Sequence, residues 1–507
     1  MTLRRIAKVF AAQNIGQLIN VITQLLLPPV FLRVFGTSLY GQWITLSAAV
    51  SYLSTLNYGV QTYTNMQMTI HFNRGEVQEC REVQSAGLRI LLCAFIGWGL
   101  LLLAVFAMPV DRWLHLTVPQ SSAQLALYFL GMQIMCGMIF GFFSGSYMVF
   151  GQAHRGTHMA NANQLLGVLA TVTMVFLKMP FPIIAAAQVV VTLLLTAYLN
   201  FDLSHREPLI KPTLRYWKSG SLASILKPSA QYMLLASTTF LAYQVPIILM
   251  QRILGPAVVV VYSVTRTIYS MSRRLLYLLT NSLGPEVTLI YGQGDWRRLH
   301  RLYDLSERIV LLFVPPMTFG SMLATPLLLW IWLRKEQLFD PGLCIVLGLT
   351  VSVMAIKEHK YQFQFSSNKV AAISYLSVIS YTIMILVAIP AMLEFGVLGF
   401  LWTWLICETI GLFILLRLND QLFDREAVLD HSRIYRLFAV LAVGTAALYW
   451  PMYHIESLSL PMQGAVAVIV SLITAVICYW VFQADVVRDF LWQKLSGKFP
   501  NLAARQS

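Results

Sequence analysis

The stretch AGLRILLCAFIGWGLLLLAVFAMP, residues 86–109, decides the class of fold. As a helix it would be about 36 Å long, enough to cross the roughly 30 Å hydrocarbon core of a bilayer. Arg89 is its only charge. A chain inside lipid must pair its backbone N–H and C=O groups within the segment, so a helix is the expected form. The stretch therefore predicts a transmembrane helix.

Similar apolar runs occupy most of the chain. Of the 507 residues, 57% are hydrophobic and 11% are charged, whereas a soluble domain carries about 25% charged residues. The alternating pattern of a membrane β-barrel is absent from the sequence. We predict an all-α integral membrane protein of about fourteen transmembrane helices, near residues 11–35, 39–63, 86–109, 122–149, 161–178, 182–202, 229–252, 257–281, 306–332, 341–363, 370–392, 396–416, 434–452 and 461–483.

The basic balance of the chain, a formal net charge of +14, does not indicate nucleic-acid binding. The basic residues lie in short connections between spans, as with Arg74, Arg81 and Arg155. The positive-inside rule places such connections on the cytoplasmic side, so both termini are predicted to be cytoplasmic. Membrane lipids and an anionic substrate are the expected partners. The six cysteines show no metal-binding spacing, and no metal is expected.

An internal repeat organises the sequence. A shift of 219 positions aligns Arg33 with Arg252, Gly36 with Gly255, Gly75–Glu76 with Gly294–Asp295, and Arg89 with Arg308. Each repeat holds about six spans, so both repeats begin on the same side of the membrane, as in some secondary transporters. We predict an N-lobe at residues 1–203, a cytoplasmic linker at 204–228, a C-lobe at 229–420, and two further helices with a cytoplasmic tail at 421–507.

Polar side chains form stripes along the first two predicted spans. The candidate substrate-binding residues of the N-lobe are Gln17, Asn20 and Gln24 in the first span and Ser47, Ser51 and Ser54 in the second. Steps of three and four place each set on one helix face. Amides facing lipid are costly. The stripes therefore either line a lumen or form hydrogen bonds between helices.

The eighth predicted span carries charge on such a stripe. Tyr262, Arg266, Tyr269 and Arg273 share one face, and the helix itself holds no acid. An arginine in mid-membrane costs at least about 2.5–3.5 kcal/mol unless it faces water or a partner. Arg266 is expected to face a cavity, whereas Arg273 either does the same or reaches the headgroups. A guanidinium binds phosphate bidentately, so the stripe predicts an anionic substrate, with the tyrosines contacting sugar.

Glu408, in the twelfth span, is expected to be the only acid well inside a span. One interpretation is that it carries a coupling Na⁺ or H⁺ ion. The other is that it pairs across the bundle with an arginine such as Arg266. Both remain open from the sequence.

Three segments resemble those of Wzx-type polysaccharide flippases. They are Arg33–Trp43 (RVFGTSLYGQW), Pro285–Asp295 (PEVTLIYGQGD) and the turn Gly396–Gly399 (GVLG). These flippases belong to the superfamily that includes the MATE drug exporters and the lipid II flippases. The resemblance extends over essentially the whole chain, and its motifs specify the superfamily better than the substrate.

The resemblance implies two six-helix lobes around a central cavity that works by alternating access. The implied cargo is an undecaprenyl-pyrophosphate-linked oligosaccharide, moved from the cytoplasmic to the outer leaflet of the bacterial inner membrane for polysaccharide export. By the same resemblance, Arg266 and Arg273 would engage the pyrophosphate. No cofactor is implied apart from coupling by Na⁺ or H⁺, and the polysaccharide polymerase and chain-length machinery would be partners.

Three other functions compete with this one. A MATE-like cation-coupled exporter is the nearest, but cationic cargo favours an acidic cavity, and the N-lobe spans hold no Asp or Glu before Asp202, the last residue of the sixth span. A lipid II flippase would account for the two extra C-terminal helices. A membrane-embedded glycan polymerase or ligase would need catalytic groups on a sizeable outside loop, and the predicted outside loops are short. No enzymatic activity is therefore expected.

Overall fold

The computed structural model describes residues 2–206, 211–216, 234, 237–281, 283–334, 338–367, 369–423 and 429–485. Across these ranges the chain is almost entirely helical and contains no strand. Ten of the described helices are long and apolar enough to cross a membrane. The all-α membrane class is thereby confirmed. Much of the predicted linker at 204–228 lies outside the described residues, and the predicted lobe boundaries stay predictions.

The chain forms two compact units, residues 1–260 and 261–507. The helices that begin in the first unit are α1 (Thr2–Val50), α2 (Leu53–Asn73), α3 (Val77–Leu103), α4 (Val110–Trp113), α5 (Gln120–Gly145), α6 (Ala153–Phe176), α7 (Phe181–Arg206), α8 (Val245–Ile253) and α9 (Pro256–Asn281). Within this unit α1 packs against α6, α2 against α3, and α5 against α7. The boundary between the units falls inside α9, after Val260.

The second unit continues from α9. Its further helices are α10 (Gly284–Gln293), α11 (Trp296–Leu333), α12 (Pro341–Ser366), α13 (Val370–Leu422), α14 (Ser432–His454) and α15 (Leu460–Val481). Here α12 packs against α13, and α11 packs against α12 and α15. The helices α14 and α15 are therefore integrated into the second unit through α11.

Two of the ten helices each contain two spans. A glycine with a non-helical backbone interrupts α1 at Gly36 (φ 76°, ψ 179°) and α13 at Gly396 (φ 61°, ψ −145°). Counting the halves separately gives twelve segments among the described residues, and the 26-residue α9 is not one of the ten candidate helices. The predicted span at 229–252 is described only in part. The described residues thus contain twelve candidate segments, against the prediction of about fourteen.

The backbone of the described residues supports the sequence repeat. Left-handed φ values occur at Gly36, Gly75 and His115, and again at Gly255, Gly294 and Arg334, each 219 positions further on. The helices α3 and α11 also begin 219 positions apart, at Val77 and Trp296. The turns therefore recur in register. The repeat is therefore structural as well as sequential.

Candidate substrate-binding site and its ion pairs

The two predicted tyrosines lie on the buried face of α9. Tyr262 is 0% exposed and Tyr269 is 1% exposed. The ring of Tyr262 packs edge-on against Phe400, with the centroids 5.8 Å apart. The guanidinium of Arg266 lies 5.2 Å from the centroid of the Tyr262 ring. Tyr262 thus holds Arg266 in place, and the predicted contact of either tyrosine with a sugar stays a prediction.

Arg273 is bound to an acid that the sequence interpretation overlooked. Its Nη1 lies 2.6 Å from Oε1 of Glu358 on α12. The expectation that Glu408 is the only acid inside a span was therefore wrong. Glu358 follows Lys357 inside the predicted span at 341–363, and that pair of charges was the available signal. Much of the positive charge of Arg273 is already compensated.

The half-buried face of α9 presents a different set of residues from the one predicted. Ser263, Arg266, Ser270 and Arg274 follow each other at steps of three, four and four, and all are half-buried. Such steps place side chains on one face of a helix. Nη1 of Arg274 is buried and has no hydrogen-bond partner among the described residues. Arg274 therefore joins the predicted Arg266 as a cation of this face, and Arg273, which is also half-buried, has its charge compensated by Glu358.

The polar stripes of the first unit are partly open. Gln17 is exposed, whereas Asn20 and Gln24 are half-buried and joined by a 3.3 Å hydrogen bond from Nε2 of Gln24. Ser47 is half-buried, and Ser51 donates to the carbonyl of Ala48 at the end of α1 (2.7 Å). The side chain of Ser54 lies outside the described residues. These bonds run along one helix, so neither the lumen nor the interhelical interpretation is decided.

A buried amide clamp, formed by Gln42, Thr45 and Gln251, was not predicted. Each of the three residues is 0% exposed. Oε1 of Gln42 accepts from the backbone N–H of Thr117 (2.9 Å). Gln251 on α8 accepts from the Thr45 hydroxyl (3.2 Å) and donates to the carbonyl of His115 (3.4 Å). The clamp joins α1, α8 and the connection between α4 and α5, all within the first unit.

Glu408 has a different partner from the one predicted. The residue is 1% exposed, and its Oε2 accepts from Nζ of Lys357 at 2.9 Å. Its Oε1 accepts from the hydroxyl of Tyr381 (2.9 Å) and from Nε1 of Trp404 (3.1 Å). The lysine reaches α13 where Gly411 leaves space for it. All three bonds are formed inside the protein, and Lys357 is the cation that the ion-pair interpretation had assigned to an arginine; ion coupling by Glu408 stays a prediction.

A second buried ion cluster attaches α14 to the rest of the second unit. Glu307 on α11 is 2% exposed and accepts from Lys360 of α12 and from Nη1 of Arg433 of α14, the latter at 3.0 Å. Nη1 of Arg308 donates to the carbonyl of Phe482, just beyond the end of α15 (3.0 Å). The run Lys357–Lys360 (KEHK) inside an apolar span was the sequence signal for this cluster.

No family model and no curated protein matches this sequence. Several solved structures share its fold. The lipid II flippase MurJ in an inward closed conformation has a TM-score of 0.70 at 11% identity, over 94% of this chain and 99% of that one. An inward-facing MATE multidrug transporter of the MOP superfamily has a TM-score of 0.62 at 14% identity, over 80% and 100%. The MATE multidrug transporter DinF-BH has a TM-score of 0.57 at 14% identity, over 84% and 98%.

These three similarities show the fold, which is that of the MATE transporters and of MurJ. The uncovered 6% in the MurJ comparison amounts to about 30 residues. The helices α14 and α15 together contain 45 residues. At least part of this C-terminal pair therefore has a counterpart in MurJ.

Proposed function

We propose that this chain is a flippase for an undecaprenyl-pyrophosphate-linked oligosaccharide. It would move its cargo from the cytoplasmic to the outer leaflet of a bacterial inner membrane by alternating access, without covalent chemistry. The observation that carries the proposal is the pair of arginines on the half-buried face of α9, Arg266 and Arg274. The finer assignment to polysaccharide export rests on the resemblance of the loop motifs, and coupling by Na⁺ or H⁺ stays a prediction.

The charge of α9 favours an anionic cargo. Placing an arginine in a span costs at least about 2.5–3.5 kcal/mol, and a bound phosphate would offset this cost through bidentate hydrogen bonds. Arg273 already has a carboxylate partner, whereas Nη1 of Arg274 is buried without a hydrogen-bond partner among the described residues. In the first unit, two long stretches contain no Asp or Glu. They are residues 11–73, which cover most of α1 and all of α2, and the stretch from the start of α5 to residue 201 of α7. A cationic drug would find little there to bind.

A lipid II flippase is the second candidate. MurJ matches 94% of this chain and the inward-facing MATE structure 80%, and at least part of the C-terminal pair of helices has a counterpart in MurJ, which favours this candidate. The two candidates differ in the group attached to the lipid carrier. They are distinguished by offering both lipids to the same vesicles and comparing their rates of movement between leaflets.

The test is a leaflet assay in proteoliposomes that contain the purified protein. A fluorescent lipid-pyrophosphate oligosaccharide is followed in one set, and efflux of a cationic dye in another. We expect movement of the lipid and no dye efflux. Arg266→Ala and Arg274→Ala should each slow the lipid by about ten- to a hundredfold, since a charge-assisted hydrogen bond contributes about 1.5–3 kcal/mol. Arg112→Ala, which changes an exposed arginine of the short helix α4, is the matched control.

Two results would reject the proposal. One is dye efflux with no movement of the lipid, which would indicate a MATE-like exporter. The other is wild-type lipid movement by both α9 variants at normal abundance in the membrane, since the arginines would then be dispensable.

A further inference from the structure

The ion pair between Arg273 and Glu358 is more open than the two ion pairs formed by the lysines of α12. The side chains of Arg273 and Glu358 are 21% and 27% exposed. The corresponding values are 14% and 1% for Lys357–Glu408, and 0% and 3% for Lys360–Glu307. Charges that face hydrocarbon are costly. The open side of the Arg273 pair therefore faces water or a polar ligand.

The carboxylate of Glu358 is also less completely bonded than those of the two lysine pairs. Its Oε1 lies 2.6 Å from Arg273, whereas its Oε2 is buried and has no hydrogen-bond partner among the described residues. Both oxygens of Glu408 and both oxygens of Glu307 accept hydrogen bonds from neighbouring side chains. An unsatisfied buried acceptor is costly, so it needs an explanation other than stability.

The surroundings of Arg273 are polar on a second side. A cavity of about 10 Å³ is lined by Arg273 and by the hydroxyl-bearing residues Ser272, Thr318, Ser321 and Ser352. The hydroxyls of Ser272 and Ser321 are hydrogen-bonded to each other at 2.8 Å. The cavity has room for about one water molecule. The guanidinium therefore borders hydroxyl groups on this side, which suits an arginine that changes partner.

A phosphate group can replace the carboxylate at this arginine. The observed contact joins Nη1 of Arg273 to a single oxygen of Glu358. A guanidinium presents its donors as a planar fork, which fits two oxygens of one phosphate. Arg274 is the next residue along α9, and its Nη1 is buried without a hydrogen-bond partner among the described residues. A pyrophosphate bound there would have a second cation close along the helix.

We propose that Glu358 holds Arg273 when no lipid is bound and gives it up to the phosphate groups of the transported lipid. The proposal rests on the proposed function for the identity of the cargo. It adds a third arginine to the site of Arg266 and Arg274, available only when Glu358 is displaced. Glu358 is then a positioning residue that lowers the affinity for phosphate and so favours release of the lipid.

Equilibrium binding tests this exchange without a transport assay. Inorganic pyrophosphate is titrated into the purified full-length protein in lipid nanodiscs, and the Kd is measured by calorimetry. Glu358→Gln should lower the Kd by about tenfold, because Arg273 gains a hydrogen bond to a charged group without first losing one. A purely structural role for the pair predicts no such gain in affinity.

Three further variants connect the gain to Arg273. The double variant Glu358→Gln, Arg273→Ala should lose the gain. Glu358→Asp keeps the charge on a shorter side chain and should give a smaller gain, which makes it the second test if Glu358→Gln folds poorly. Glu394→Gln removes the same charge from an exposed position near the break at Gly396, and it should leave the Kd unchanged.

The outcomes separate this inference from the proposed function. Tighter binding by Glu358→Gln that disappears in the double variant supports the exchange even if the leaflet assay shows no lipid movement. Unchanged or weaker binding by both Glu358 variants would overturn the inference, and lipid movement by the wild type would leave the proposed function standing. A gain that persists without Arg273 would also overturn it, since Glu358 would then only repel anions. Failure of all these proteins to bind pyrophosphate would overturn it as well.

Discussion

Neutralising Glu408 alone should destabilise the protein. The Glu408→Gln substitution leaves the ammonium of Lys357, which is 14% exposed, without its carboxylate. The amide oxygen can still accept from Tyr381 or Trp404, so the loss is concentrated in the ion pair. Removing one partner of a buried pair costs about 3–5 kcal/mol, because the remaining charge is left uncompensated.

Removing both charges should restore most of this loss. Replacing a buried ion pair by uncharged groups of similar volume is often neutral or stabilising. We therefore expect Lys357→Met with Glu408→Gln to fall within about 1 kcal/mol of the wild type. Lys357→Met alone should behave like Glu408→Gln alone. The four proteins form a double-mutant cycle whose coupling energy isolates the pair.

The assay combines denaturant unfolding in detergent micelles with transport under an imposed Na⁺ or H⁺ gradient. If the pair is structural, the double variant regains both stability and wild-type gradient dependence. A Glu408→Gln protein as stable as the wild type would refute the stabilising role. A double variant that folds normally but loses gradient dependence would show that Glu408 couples transport to an ion.

Three further predictions concern stability. Glu307→Gln should lower the free energy of unfolding by about 3–5 kcal/mol and speed hydrogen exchange in residues 432–481. Unchanged exchange there would contradict the attachment of α14 through Glu307. Gln251→Ala should lower the free energy of unfolding by about 1–3 kcal/mol, because the hydrogen-bonding groups of the amide clamp lose their partner. The loss should appear as faster proteolysis in the loop around His115, and an unaltered cleavage rate would count against the clamp. Gly255→Ala should lower the free energy of unfolding by about 1–2 kcal/mol, because the φ angle of Gly255 is +89°. Gly97→Ala is the control and should not lower it, because Gly97 lies within a helix and has open space around it. Equal free energies of unfolding for the two variants would argue against the left-handed turn at Gly255.

The sequence was sufficient for the fold because the hydropathy of each span depends on that span alone. The run at 86–109 predicts its helix without knowledge of any neighbour. The repeat was equally visible, because glycine is favoured wherever the backbone must turn with positive φ, as at Gly36 and Gly255. These features are local, so they survive in a single sequence.

The site was harder to predict because adjacent helix faces share residues. Arg266 belongs both to the stripe with Tyr262 and Tyr269 and to the stripe with Ser270 and Arg274. Periodicity cannot decide which of the two faces is buried, since that depends on the helices packed around α9.

Ion pairs pose the same difficulty between helices. Lys357 meets Glu408 only because α12 and α13 pack at Gly411, and no spacing in the sequence joins positions 51 residues apart. The sequence did carry four consecutive polar residues at 357–360 inside an apolar span. That run indicated buried partners without naming them.

The proposed function requires the arginines of α9 to select a pyrophosphate-bearing lipid. The most direct measurement compares the rates at which the wild-type protein moves two lipids between leaflets, one with the oligosaccharide on a pyrophosphate and one with the same sugar and chain but no phosphate. We predict rapid movement of the charged lipid, little movement of the neutral one, and loss of the difference in the Arg266→Ala, Arg274→Ala double variant. Equal rates for both lipids in the wild type would contradict the account.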